Sequence, residues 1–288
     1  MATEPRDQMK EGVADYFDKM NVTVIELQFM ECNNPIIKNV TGELKGKQKE
    51  ANTCVAPYPD VKVRWGRYPM LRDVLKNCTT CTGPVLFSDA RDTFFQRDPF
   101  GDGAAEIQGF HFFGEHRSVD AEHFFVARRV RICKQGYKMK GPQLCSGTTI
   151  GTRETMLKFL DIMYEEMKLW MITDTCYFES HGGDQAIMNY LYYDKRFNEL
   201  DPHVFMARHN GIVNTVGRVG HMVSKANHRG YKSYTGEFPN WLMFHLDMTD
   251  EQGYFIEYDG SRSRVIHQWD RFGLHLQHWL DKPGYIYD

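Results

Sequence analysis

Residues 85–100 read VLFSDARDTFFQRDPF, an apolar run broken by Asp89 and Asp92 and then resumed. Val85-Leu86-Phe87 predicts a buried strand, and a carboxylate at the end of such a strand loses its hydration unless a cation or donor replaces it. In an open α/β sheet, ligands bind beyond the carboxyl ends of the strands. Two carboxylates leaving one turn there, with room for water and phosphate oxygens, suit Mg²⁺ or Mn²⁺. The competing reading is a helix cap plus a surface ion pair, with Arg91 as the partner.

Working outward, RYPMLRDVLKNC (67–78) predicts a helix that feeds this strand, and MKEGVADYFDKM (9–20) a short amphipathic helix before VTVIELQF, a strand rich in β-branched residues. Residues 38–60 are rich in Lys, Gly, Asn and Pro and predict a surface loop. EIQGFHFFGEH (106–116) predicts another strand. TRETMLKFLDIMYEEMKLWMI (152–172) is the strongest helical stretch, with Thr152 placed to cap it and apolar residues at helical spacing. DQAIMNYLYYD (184–194) predicts a further helix, introduced by Gly182-Gly183. Short strands follow at IVNTVG, YFIEYDG and RVIHQWD. The alternation predicts an α/β fold with a mixed, mostly parallel sheet flanked by helices, and extra C-terminal strands closing one side.

The 288 residues are 42% hydrophobic and 14% aromatic, enough for one large domain or two small ones, and with no evident linker the expectation is a single domain. A net charge of -3 provides no global basic field, so neither nucleic acid nor an anionic membrane is an expected partner. No apolar run reaches the length of a membrane span. The opening MATEPRDQMKEG lacks the apolar core of a signal peptide. The expected setting is therefore cytoplasmic, or lumenal if the sequence is a trimmed ectodomain. Seven scattered cysteines, an odd number, favour free thiols over a disulfide framework. Cys78-Thr79-Thr80-Cys81 has zinc-ligand spacing, but no second pair completes four ligands, so reduced loop cysteines are the expectation.

A buried strand ending in acidic residues, then an apolar run, then Asp98-Pro99, resembles the metal-binding turn of GT-A-fold, metal-dependent glycosyltransferases, including soluble members from large algal viruses and protists. The usual signature there is Asp-x-Asp. Here the spacing is Asp89-Ala90-Arg91-Asp92, with Asp92 the better match to the second aspartate. Further stretches arrive in the order this resemblance implies. Arg67 stands where a basic residue reaches the nucleotide. LCSGTTIGT (144–152), with Ser146 and Gly147, resembles the strand beneath the donor sugar. HGGDQAIMNYL (181–191) resembles the Gly-Asp-Gln-x-x-x-Asn turn of glycogenin-like transferases, with Gly183 and Gln185 beside the donor and Asp184 facing the sugar. For Asp184 the bare residues equally allow an N-cap. RVIHQWDR (264–271) resembles the late segment whose histidine completes the metal site, so the implied ligands are Asp89, Asp92 and His267. Arg271, and Arg229 of NHRG, would offset diphosphate charge.

The resemblance implies a glycosyltransferase that moves a sugar from a nucleoside diphosphate donor, a UDP-sugar above others, to a glycan or glycoprotein hydroxyl with Mn²⁺ or Mg²⁺ as cofactor. Residues 1–150 would form the nucleotide- and metal-binding part and residues 151–288 the acceptor and site-closing part. Two alternatives stay open on the residues themselves. One is a metallophosphoesterase, for which Asn227-His228 is present without an Asp-x-His partner. The other is a catalytically inactive nucleotide-sugar or glycan-binding module using the many Tyr and Trp as stacking surfaces.

Overall fold

The computed structural model describes residues 2–3, 12–19, 21–31, 53–58, 61, 63–90, 92–101, 107–115, 119–122, 124–173, 176, 183–209, 211–218 and 248–272. Most of the expected loop at 38–60, together with Arg91, Gly182, Asn227, His228 and Arg229, lies outside them.

The elements that position the site begin at α2. In chain order they are β1 (Ala2–Thr3), α1 (Val13–Lys19), β2 (Ile25–Glu26), β3 (Phe29–Glu31), β4 (Thr53–Val55), α2 (Val63–Asn77), β5 (Val85–Ser88), β6 (Thr93–Phe95), β7 (Phe110–Gly114), α3 (Phe124–Cys133), β8 (Leu144–Gly151), α4 (Arg153–Met171), α5 (Gly183–Tyr193), β9 (Pro202–Phe205), β10 (Val213–Thr215) and β11 (Val265–His267). Where YFIEYDG predicted a strand there are only isolated bridges, Thr249 to Phe255 and Ile256 to Arg262.

The central sheet has the order β5-β8-β7-β9. β8 runs antiparallel to both β5 and β7, and only β7 and β9 are parallel. The α/β class is as expected, but "mostly parallel" is corrected: this is a mixed sheet in which antiparallel pairing dominates. The reason is connectivity. β8 enters between β5 and β7 from the opposite end, and a period-2 apolar pattern is the same for either strand direction.

Alternation along β7 divides the core in two. Phe110 and Phe112 face the helices, where they meet Phe159 of α4 and, for Phe112, Phe197. Phe113 faces the other side, packing with Ile150, Val213 and Val265. Each such fully buried phenylalanine contributes about 1.5–3 kcal/mol of burial. α4 carries the largest apolar stripe: Met156, Phe159, Leu160, Met163, Met167, Trp170 and Met171 are all buried, at the spacing of one helical face. Its first turn is capped as expected, the Thr155 backbone N–H donating to Thr152 Oγ1 at 3.2 Å.

A second sheet, ordered β10-β11-β6, covers the face of the central sheet opposite the helices. These are the closing strands foreseen for the last third of the chain, and they recruit β6 from directly after the acidic turn. β11 runs antiparallel to β6 with His267 opposite Thr93.

The thiol expectation is corrected as well. Cys78 and Cys81 form a disulfide across a Cα–Cα distance of 5.5 Å just past the end of α2, and Cys54 is also disulfide-bonded. The same short loop that suggested zinc spacing brings two backbones within disulfide reach. Among the described residues Cys133, Cys145 and Cys176 are free.

Candidate metal centre and its surroundings

Four strands converge on one point. β5 ends at Ser88, and the Asp89 backbone N–H still donates to Gly147 O of β8 at 2.8 Å, so Asp89 sits at the last rung of that ladder. Ser88 Oγ donates to Thr93 Oγ1 at 3.0 Å, closing the acidic turn on itself. From the second sheet, the Gln268 backbone N–H donates to Asp92 O at 2.7 Å. His267 Nε2 thereby comes to 3.6 Å from Asp92 Oδ1 and 3.9 Å from Asp89 Oδ2. One ligand atom from each of the three residues lies within 4.8 Å of the others.

This donor set fits a divalent ion. His267 is 1% exposed, and its Nε2 has no hydrogen-bond partner. A buried imidazole nitrogen normally finds one. The 3.6 and 3.9 Å separations are too long for hydrogen bonds, and two carboxylates and an imidazole around a shared gap are a set that could hold a metal ion. Gly147 makes the gap possible: a Cβ there would stand 2.9 Å from Asp89 Oδ2 and closer still to the His267 ring.

Arg67 lies in the second turn of α2, since the helix begins at Val63 rather than at Arg67 itself. Its guanidinium bridges Asp89 and Asp184 with two ion pairs and reaches Ser146 O at 3.4 Å. It also lies 5.1 Å from the centroid of the Phe87 ring. Burial opposes the charge, but Tyr68, Asp184 and Asp89 hold the guanidinium well above its ordinary pKa. Burial also raises the Asp89 carboxyl; Arg67 and His267 pull it down, and Asp184 and Asp92 push it up, for a net rise.

Asp184 is inside the first turn of α5 rather than before it, so it is not the N-cap that its sequence position also allowed. Its carboxylate is shared between Arg67 and the Tyr68 hydroxyl, which donates at 3.2 Å. The preceding Gly183 is pressed against Trp65, whose Cζ2 lies 3.1 Å from where a Cβ would stand. Gln185 and Asn189 share one face of α5 at i and i+4 and clamp β8: both amides donate to Leu144 O at 2.9 Å, and Asn189 Oδ1 accepts from Leu144 N–H at 2.9 Å. Gln185 thus ties the helix to the strand carrying Ser146 and Gly147. Ser146 is buried and contributes its carbonyl. Arg271 stands at the rim, with a guanidinium nitrogen 3.9 Å from Asp92 Oδ2 and another 3.1 Å from Asp270.

Sequence reasoning missed Tyr68, Glu115, Cys145 and Gln268, all of which border this group. Glu115 is buried at the end of β7 and accepts from Gln185 Nε2 at 3.0 Å and Gln268 Nε2 at 3.2 Å. The only advance signal was a carboxylate directly after the FHFFG strand, the same pattern that marked Asp89.

No family model matches the chain, and no curated protein matches it in sequence. Among the described residues, no helix is long and apolar enough to cross a membrane.

Proposed function

We propose that the chain is a metal-dependent glycosyltransferase of GT-A type, moving a sugar from a nucleoside diphosphate donor, a UDP-sugar above others, to a hydroxyl of a glycan or glycoprotein. The observation that carries this reading is the orphaned His267 Nε2 facing Asp89 and Asp92 at the carboxyl end of β5. Asp89, Asp92 and His267 would hold Mn²⁺ or Mg²⁺, which when bound neutralises the diphosphate as its charge grows on departure.

The rest follows from the chain's own groups. Arg67 is fixed between Asp89 and Asp184 and presents positive charge to the phosphates, with Arg271 at the rim. Asp184, held by Arg67 and Tyr68, takes the proton of the acceptor hydroxyl if configuration inverts. If configuration is retained, the same carboxylate stands as an anion beside the oxocarbenium-like sugar. Gly147 and Ser146 form the floor beneath the donor.

The two disulfide-bonded sites favour a lumenal or extracellular setting over the cytoplasmic one that the opening residues suggested.

Incubation with a panel of nucleotide sugars, with and without Mn²⁺, tests the proposal. Release of nucleoside diphosphate that requires Mn²⁺, with UDP-sugars turned over faster than GDP-sugars, is the expected result. Cleavage of simple phosphoesters, or binding without turnover, would replace it with the phosphoesterase or binding-module reading.

A further inference from the structure

We propose that Cys145 is a positioning residue for His267: its sulfur accepts the Nδ1 proton of the imidazole and so turns the Nε2 lone pair toward Asp89 and Asp92. This rests on the metal-site reading above and adds to it the group that selects the ring's tautomer.

Cys145 and Gly147 lie two residues apart on β8 and therefore on one face of the strand. The two meet the same imidazole from that face. Cys145 Sγ lies 3.5 Å from Nδ1, while Gly147 leaves the space into which Cε1 and Nε2 project. Neutral imidazole carries one ring proton, and the partner of one nitrogen decides the role of the other. Gln268 Nε2 donates to the sulfur at 3.4 Å; in the proposed arrangement the thiol's own proton turns away from the ring and a sulfur lone pair takes the Nδ1 proton. Nε2 is then left free to ligate.

The sulfur is itself held. Gln268 Nε2 donates both to Cys145 Sγ and to the buried Glu115 carboxylate, which Gln185 also holds. Gln268 adopts φ 62, in the left-handed region that non-glycine residues seldom occupy. Its side chain is thereby turned toward Cys145 while its backbone N–H holds Asp92. Backbone strain of this kind persists where surrounding contacts over-determine it. Metal-ligating histidines usually give their second N–H to a carboxylate or carbonyl oxygen. Here a thiol takes that place, and because sulfur is a weak acceptor, a serine hydroxyl can replace it.

The test titrates Mn²⁺ alone into the full chain and follows free Mn²⁺ by electron paramagnetic resonance, comparing wild type with Cys145→Ala and Cys145→Ser. Both variants lose the volume of the sulfur, so a packing effect weakens them alike, whereas positioning separates them. Cys145→Ala is expected to bind about tenfold or more weakly, the usual scale for a lost outer-shell partner, and Cys145→Ser to bind close to wild type. Equal affinities for the two variants overturn the inference while leaving the metal site standing. A wild-type protein that takes up no Mn²⁺ overturns the metal site and this inference with it. Should Cys145→Ala not fold, Gln268→Ala reads the same chain of contacts from its other end. Weakened Mn²⁺ binding in that variant is expected, and unchanged binding counts against the role of the sulfur.

Discussion

His267 is opposite Thr93 in the β6–β11 ladder, and that register brings its Nε2 to 3.6 Å from Asp92 Oδ1 although the two positions are 175 residues apart in the sequence. A slip of one residue would turn the imidazole to the other face of the sheet.

The first prediction concerns the ion. Saturating Mn²⁺ should raise the melting temperature of the wild-type chain, by about 2.7 kcal/mol of stability at a hundredfold excess over Kd. His267→Ala should remove that gain, and Gly147→Ala should do the same because its Cβ fills the gap beside Asp89 Oδ2. Chelation should abolish turnover and leave the far-ultraviolet circular dichroism of the fold intact. Loss of the fold on chelation would show the metal to be structural instead.

Arg67→Met separates two effects that act in opposite directions. Removing the guanidinium leaves Asp89 and Asp184 without their shared cation, at a cost of about 1–3 kcal/mol measured by urea unfolding. That is less than the loss for a fully buried pair, because Asp89 is 38% exposed. The released Asp89 carboxylate should bind Mn²⁺ at least as tightly as before, while turnover falls. Loss of Mn²⁺ binding in a folded variant would show instead that Arg67 is needed to hold Asp89 in place for the ion.

Asp184→Asn tests the acceptor side. The substitution is nearly isosteric, and the residue lies within the first turn of α5 rather than at its cap, so a capping effect is not expected to contribute. Turnover should fall about 10²-fold or more, the scale for a lost acid–base group, with donor affinity by calorimetry little changed. Near-normal turnover would make Asp184 a structural partner of Arg67 and Tyr68.

The last prediction is a pH dependence away from the site. His111 of β7 is buried opposite His203 of β9, with ring centroids 5.6 Å apart, and its Nε2 faces Gln108 O at 2.9 Å. Burial lowers its pKa below the ordinary imidazole value, the nearby His203 adds to that, and the Gln108 carbonyl opposes it. A lowered value means that the folded state favours the neutral ring. The stability it contributes is complete above about pH 6.5 and is lost as pH falls toward the folded pKa. Urea midpoints measured between pH 7 and pH 5 should fall for wild type and fall less for His111→Phe. Parallel curves for the two proteins would remove His111 as the source.

Much of the local structure was legible from residue order alone. The Thr152 cap, the apolar stripe of α4, the β5 strand with its acidic end, and the Gly-Asp-Gln start of α5 all follow from interactions within a few residues. The helix α3 escaped notice because Arg128, Arg129 and Arg131 interrupt its apolar pattern, and one of them, Arg129, is nonetheless buried. Asp89, Asp92 and His267 were each visible as residue types at strand ends, and the order of the segments suggested that they belong together.

What the sequence by itself determined is the placing of β5, α4 and α5, and that carboxylates stand at the end of a buried strand. Only the tertiary structure decided strand direction and the ring of Arg67, Glu115, Cys145 and Gln268 around Asp89, Asp92 and His267. Local propensity acts over the few residues of a turn, whereas these contacts join groups whose separation in the chain runs from 22 residues for Arg67 and Asp89 to 153 for Glu115 and Gln268. Such pairs have no periodic signature. They exist because a folded sheet leaves polar groups buried that must find partners across it, and which partners they find is a property of the packing.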